Sequence, residues 1–249
     1  MNQSKSPFSN RRFSRRCVTG SVFSLFSLLG ATLLFGCGGG GGSSSSTSGS
    51  DSGATEISTR LRTIQPGDAW IYNVIVSGDY SGVAENTTVA SNATIAGREC
   101  LSLVTTTAVQ GGQNSTTSRY YIQSPSTADL LLLDESEPAN NEPVLTVPGT
   151  WALGISFDKT IPNNNGGNHV SFVITDQEQV SVPAGRFQAW KTVMTQSTSF
   201  YNTSGTYWYA PEVGQFVKAE FSTSFTQGEF AGQSYRYNAE LKSTNVFNR

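Results

Sequence analysis

A single histidine, His169, stands in a chain of 249 residues. Any Ser-His-Asp triad would have to be built on it, and no Gly-x-Ser-x-Gly elbow accompanies it. One histidine without a close cysteine pair also leaves no ordinary zinc site, so His169, beside an Asn/Gly loop, reads as an exposed loop-edge residue. Charged residues make up only 14% of the chain and apolar residues 37%, which excludes a coiled coil and a polytopic membrane protein. Acids are absent from the first fifty residues, where Lys5, Arg11, Arg12, Arg15 and Arg16 supply five of the sixteen basic residues. Without them the remainder carries eleven basic and eighteen acidic residues, a net charge of −7. A nucleic-acid partner is thereby excluded, because little basic charge remains to neutralise a row of phosphates. Asp134, Glu135 and Glu137 form the densest acidic group, with Asp158 and Asp176 elsewhere. They lack the alternating order of a calcium loop and read as solvated acids, so no cofactor is expected.

What the chain does have begins with its N-terminus. Arginines 11, 12, 15 and 16 precede an uncharged run from Cys17 to Gly36, which closes on Leu34, Phe35, Gly36 and Cys37. The order of basic, apolar and small residues is that of a secretory signal. The uncharged length also suits an uncut membrane-spanning helix, although Ser, Thr and Gly dilute the run and a glycine tract follows it. The arginine pair at Arg15 and Arg16 is ordinary n-region charge, since Cys17, Val18 and Thr19 fit a twin-arginine motif poorly.

In Leu34, Gly36 and Cys37 the segment resembles bacterial lipoprotein precursors, whose lipobox has Leu three residues before the cysteine and Gly or Ala directly before it. The resemblance implies cleavage after Gly36, a diacylglyceryl group on the Cys37 thiol and, often, acylation of the new amino group. Residues 1–36 are then the signal peptide. The partner so implied is a membrane, reached through covalent lipid on Cys37. One acyl chain binds a bilayer marginally, whereas two or three hold firmly, at about 0.8 kcal/mol per buried methylene. Gly38 in place of Asp after the cysteine implies, by resemblance to lipoprotein sorting in enteric bacteria, an outer-membrane lipoprotein facing the periplasm, with the cell surface left open. Cys17 would leave with the signal and Cys37 would be acylated. Cys100 would then be the one free thiol, placed in the core by the strand-like sequence around it.

Residues 37–55 carry the lipidated cysteine and a Gly/Ser tether. Within it, residues 38–54 have no aromatic or large aliphatic side chain and cannot offset the entropy of ordering them. A leash of this length spans typically about 20–25 Å and at most about 55–60 Å.

Residues 56–249 read as one all-β domain. Trp70, Tyr72, Val74 and Val76 alternate with Ile71, Asn73 and Ile75. Tyr235, Tyr237, Ala239 and Leu241 alternate with Arg236, Asn238, Glu240 and Lys242, giving one dry and one wet face. Val217, Ala219, Phe221 and Phe225 repeat the pattern. Further strands are expected near 83–96, 98–109, 117–124, 128–134, 151–160 and 187–201, with turns at Pro66-Gly67, Gly97, Gly111-Gly112, 163–167 and Pro183-Ala184-Gly185. The expected fold is a single antiparallel meander, forming a strongly curved sheet or open barrel, with a sandwich as the other candidate.

Three fragments, Ile64 to Tyr72, Val182 to Phe187 and Tyr207 to Lys218, are together similar to a pattern in uncharacterised bacterial envelope proteins. The similarity implies a shared fold. Some such domains resemble the curved half-barrels of periplasmic lipoprotein carriers, which implies a concave face able to hold a lipid or other hydrophobic ligand. Trp70, Tyr72, Trp190 and Trp208 are the candidate lining of such an apolar cavity, or plain core. The function expected is therefore non-catalytic: a β-domain that binds a hydrophobic ligand, or one that contacts another envelope protein, with a hydrolase the third reading, whose mark would be a pocket joining His169 to an acid and a hydroxyl.

Overall fold

The computed structural model describes residues 58–133, 144–161 and 168–247. The expected signal peptide with Gly36, the expected acylation site Cys37, the expected tether, the group Asp134, Glu135 and Glu137, and the expected turn at 163–167 lie outside the described residues. Within them there is no helix. The strands are β1 (Thr59–Arg60), β2 (Ala69–Gly78), β3 (Gly82–Ile95), β4 (Arg98–Val109) and β5 (Ser115–Gln123). They continue as β6 (Leu130–Leu133), β7 (Val144–Val147), β8 (Thr150–Trp151), β9 (Ser156–Ile161) and β10 (Asn168–Val182). The last four are β11 (Gly185–Ser197), β12 (Tyr201–Ala210), β13 (Gln215–Phe225) and β14 (Ser234–Thr244).

Twelve of these strands form one antiparallel sheet in the order β7-β6-β5-β4-β3-β2-β14-β13-β12-β11-β10-β9, while β1 pairs with β8 alone. From β9 to β14 and again from β2 to β7 neighbours follow chain order, so the first long strand and the last meet mid-sheet. The sheet is not closed: its margins are β7 and β9. Laid flat, eleven inter-strand gaps would separate those margins by about 50 Å. Only nine peptide steps lead from Val147 to Ser156, a reach of about 30 Å. The sheet must therefore curl. The curl shows again where Ala184, in the β10–β11 turn, donates its N–H to Leu241 O at 3.0 Å, although β12 and β13 lie between β11 and β14 in the sheet.

Alternation decides which side chains turn inward. Trp70, Tyr72, Val74 and Val76 are buried while Asn73 and Ile75 are exposed, and Tyr235, Tyr237, Ala239 and Leu241 are buried against exposed Arg236 and Asn238. The inner face is filled with rings. Phe221 stacks on Tyr237 with centroids 4.4 Å apart, and Tyr207 leans on Phe221 at 6.3 Å. Burying an aromatic side chain of this size contributes about 1.5–3 kcal/mol, which favours a packed hollow over a wet one.

Three expected strands differ from those found. The stretch 151–160 is interrupted, because Gly154 takes a φ of 79° and its N–H bonds Ile174 O, so β8 and β9 are separate. The stretch 187–201 is two strands, parted where Thr198 Oγ1 accepts the N–H groups of Phe200 and Tyr201 and closes a hydroxyl-capped turn. The stretch 128–134 shortens to β6, since Ala128 has a φ of 65° and its N–H bonds Ser124 O.

Ahead of β2 the chain is threaded across one rim of the sheet. Leu61 N–H bonds Gly149 O, Arg62 N–H bonds Pro211 O, and Gln123 Oε1 accepts Ile64 N–H. Asp68, fully buried, fastens this segment: its carboxylate takes a two-pronged contact from the Arg62 guanidinium and the N–H of Gln65 at 2.8 Å.

Candidate functional site

A recess lies on the inner face where β3, β4 and β5 meet β2, β13 and β14. It is lined by Tyr72, Asn86, Thr88, Leu103, Thr105, Arg119, Tyr121, Gln215, Phe216 and Tyr237. Strand register explains the grouping. Tyr72 stands opposite Asn86, Thr88 opposite Thr105, and Leu103 opposite Arg119. Paired residues share a face, so the Thr88 and Thr105 hydroxyls meet at 2.8 Å. Asn86 Nδ2 donates to Tyr237 Oη at 3.3 Å, and Tyr72 Oη donates to Phe216 O at 3.0 Å. The Tyr72 and Phe216 rings stack with centroids 4.6 Å apart.

Arg119 is the only formally charged residue in the lining of the recess. Burial raises the pKa values of Tyr72, Tyr121 and Tyr237 above the ordinary tyrosine value, with Arg119 opposing the rise at Tyr121 and the Asn86 contact opposing it at Tyr237. These phenols therefore stay protonated donors. The Asn86 Oδ1 atom is buried without a hydrogen-bond partner, as is Oγ1 of Thr107, which stands opposite Asn86 in the β3–β4 ladder. The space between the walls holds ≈ 30 Å³, room for about one or two waters.

Of the four residues expected to line an apolar cavity, Tyr72 lines this recess. Trp70 is fully buried and donates its indole N–H to Val213 O at 3.0 Å. Trp190 is buried opposite Tyr209 in the β11–β12 ladder, its Nε1 without a partner. Trp208 projects to the face opposite its neighbour Tyr207. There its N–H donates to Glu178 Oε1, and the ammonium groups of Lys191 and Lys218 lie 5.9 and 5.0 Å from its ring. The four do not share one cavity. The polar lining, Asn86, Thr88, Thr105, Arg119 and Gln215, was not singled out in the sequence. The available signal was that Asn86 and Thr88 fall between Ala84 and Ala90 on one face of β3.

His169 Nε2 lies 3.6 Å from Asp158 Oδ1, and both side chains are open to solvent. Ser171, opposite Asp158 in the ladder, shares a hydrogen bond with Thr195 Oγ1 at 3.0 Å. Among the described residues no three His, Cys, Asp or Glu side chains are grouped to hold a metal ion. Cys100 is a buried free thiol whose Sγ donates to Ala93 O, and burial raises its pKa.

No family model matches the chain, and no curated protein matches it in sequence. Among solved structures it is similar to a protein provisionally named as a lipoprotein from Parabacteroides distasonis ATCC 8503. The two share 12% identity over 72% of this chain and 95% of that one, with a TM-score of 0.41. It is also similar to a protein provisionally named as an exported protein with a YmcC-like fold from Bacteroides fragilis NCTC 9343. Here identity is 15% over 74% of this chain and 98% of that one, with a TM-score of 0.38. At these scores neither likeness bears on function.

Proposed function

We propose that the chain is the precursor of a bacterial envelope lipoprotein, held at the outer membrane through acyl chains on Cys37, whose non-catalytic β-domain is a binding and interaction module. The observation that carries the anchor is the succession of arginines, an uncharged run, Leu34-Phe35-Gly36-Cys37 and a Gly/Ser leash directly ahead of the β-domain. Acyl chains on that thiol make a hold that a single myristoyl-like chain does not. Contact with another envelope component, through loops or the margins β7 and β9, suits the domain better than carriage of an acyl chain. The inner face is filled by aromatic rings, and its recess, at ≈ 30 Å³, is about tenfold smaller than ordinary small-molecule pockets.

The deciding experiment labels cells with radioactive palmitate and fractionates them, comparing the natural chain with Cys37→Ser. Label and membrane association confined to the natural chain support the reading, and an unlabelled, unattached natural chain refutes it. Native mass spectrometry of the membrane-extracted protein separates the two uses of the domain: a co-purified lipid would return the carrier reading to first place.

A further inference from the structure

We propose that the rim crossed by residues 59–67 rests on an anionic phospholipid surface, with Leu153 and Phe247 entering the interfacial layer and Arg60 and Arg186 at its headgroups. The proposal rests on the reading that Cys37 is acylated.

Strand ends define the rim. β2, β11 and β13 begin there and β12 and β14 end there, and the threaded segment crosses it through its bonds to Gly149, Pro211 and Gln123. Leu153 and Phe247, at 62% and 55%, are the most exposed large apolar side chains among the described residues. Scattered singly, such side chains carry no meaning. These two stand at the two ends of the threaded segment. Leu153 lies two residues past Trp151, which pairs with Thr59 where the segment begins. Phe247 lies two residues past Asn245, whose side chain donates to Gly67 O at 3.0 Å and accepts Ala69 N–H at 2.8 Å where the segment ends. Phe187 supports Phe247 from β11, the ring centroids 6.3 Å apart.

Charge separates this rim from the opposite one. Arg186, next to Phe187, is exposed, and so is Arg60, whose Nη2 donates to the carbonyls of Pro125 and Ser126. Glu212 opposes them from the turn after β12. At the other rim the turns 79–81, 198–200 and 226–233 hold Asp79 and Glu229 and no lysine or arginine. That rim also exposes a ring, Phe200, at 43%, but its acids repel an anionic surface. Each basic residue near such a surface strengthens association about fivefold.

The chain ahead of residue 58 names the occupant. Twenty residues lie between Cys37 and Ser58, and the chain they precede enters the domain at the Leu153 end of this rim. With the tether expected from their composition, the domain meets the bilayer at an effective concentration of about 1 mM. A contact with a Kd of about 1 mM is then filled about half the time. Burial of one leucine or phenylalanine side chain improves binding about tenfold to a hundredfold. Two apolar side chains and two cations therefore suffice for such a contact.

The test places the membrane-extracted protein in vesicles of phosphatidylethanolamine and phosphatidylglycerol whose acyl chains are brominated. Tryptophan fluorescence is compared for the natural chain, Leu153→Trp, Phe247→Trp and, on the opposite rim, Phe200→Trp. Quenching beyond that of the natural chain is expected for the first two variants and not for Phe200→Trp. Arg186→Glu, added to Phe247→Trp, should lower the ratio of docked to undocked domain about tenfold on these vesicles and leave it unchanged on brominated phosphatidylcholine. Quenching of either Leu153→Trp or Phe247→Trp no greater than that of the natural chain, equal quenching of Phe200→Trp, or indifference to Arg186→Glu would each overturn the proposal. A natural chain that carries no acyl group and does not float with the vesicles removes the anchor and this contact together. One that floats with them yet gains no quenching at Leu153→Trp and Phe247→Trp removes this contact alone.

Discussion

Asp68→Asn tests the account of how the segment ahead of β2 is held. Asp68 is fully buried, accepts two nitrogens of Arg62 and one backbone N–H, and stands where the chain turns into β2 beside Trp70. Removing one member of a buried ion pair costs about 3–5 kcal/mol. Arg62 keeps 24% of its side-chain surface in contact with solvent, so the stranded guanidinium regains some hydration and the expected loss lies near the lower limit, about 3 kcal/mol. With a urea m-value of about 2 kcal/mol/M, the unfolding midpoint should fall by about 1.5 M. Hydrogen exchange adds a local readout: the amides of Leu61, Arg62 and Ile64, bonded to Gly149, Pro211 and Gln123, should lose protection before those of β13. The double variant Arg62→Met/Asp68→Leu should sit closer to the natural protein than Asp68→Asn does, because no buried charge is then left alone. A loss below about 1 kcal/mol in Asp68→Asn, or a double variant at least as unstable, would refute the reasoning.

Three other perturbations probe the packed inner face. Tyr207→Phe and Tyr209→Phe each remove a buried hydroxyl without a partner, and urea midpoints should stay level or rise; Tyr72→Phe, which loses a bond to Phe216 O, should cost about 1 kcal/mol. Gly205→Ala should cost at least about 1–3 kcal/mol in the same assay, since a Cβ there meets the backbone and Cβ of Phe221 and the carbonyl of Glu220. Stability should decline above pH 10, the ordinary tyrosine value. Burial raises the folded-state pKa values of Tyr72, Tyr207, Tyr209 and Tyr237, so above pH 10 the unfolded chain releases protons that the folded one retains. The stabilisation is complete below that pH and is lost as pH climbs through the folded values. Tyrosinate absorbance rising together with loss of the β-sheet circular dichroism signal is the expected record, and phenol ionisation in a still-folded sheet would contradict it.

The faces of β2, β13 and β14 were legible in the sequence because apolar and polar residues alternate cleanly there, and the turns at Pro66-Gly67 and Pro183-Ala184-Gly185 were legible because their residue types prescribe them. Gly67 and Gly185 take φ values of 87° and 139°. The pairing of β2 with β14 was not legible, since alternation records which side is wet and says nothing about a neighbour more than 150 residues away. Hydroxyl-rich strands hid the recess. Thr87, Thr88, Thr105, Thr106 and Thr107 suit either face of a sheet, so their period carries no signal. Asp68 was legible only as part of a turn, because its partner Arg62 is brought to it by tertiary threading. The strand expected at 151–160 failed at Gly154, where a local backbone reversal outweighs the apolar run around it.

The place of β2 in the sheet bears on how the domain answers a mechanical load. A pull applied to the chain ahead of residue 58 would reach the domain through residues tied to Gly149 and Pro211 and then through β2, which has β3 on one flank and β14 on the other. An outermost strand under tension unzips one bond at a time, whereas an interior one must shear two ladders together. Such a load would grip the domain at its middle and leave its outer strands β7 and β9 unloaded.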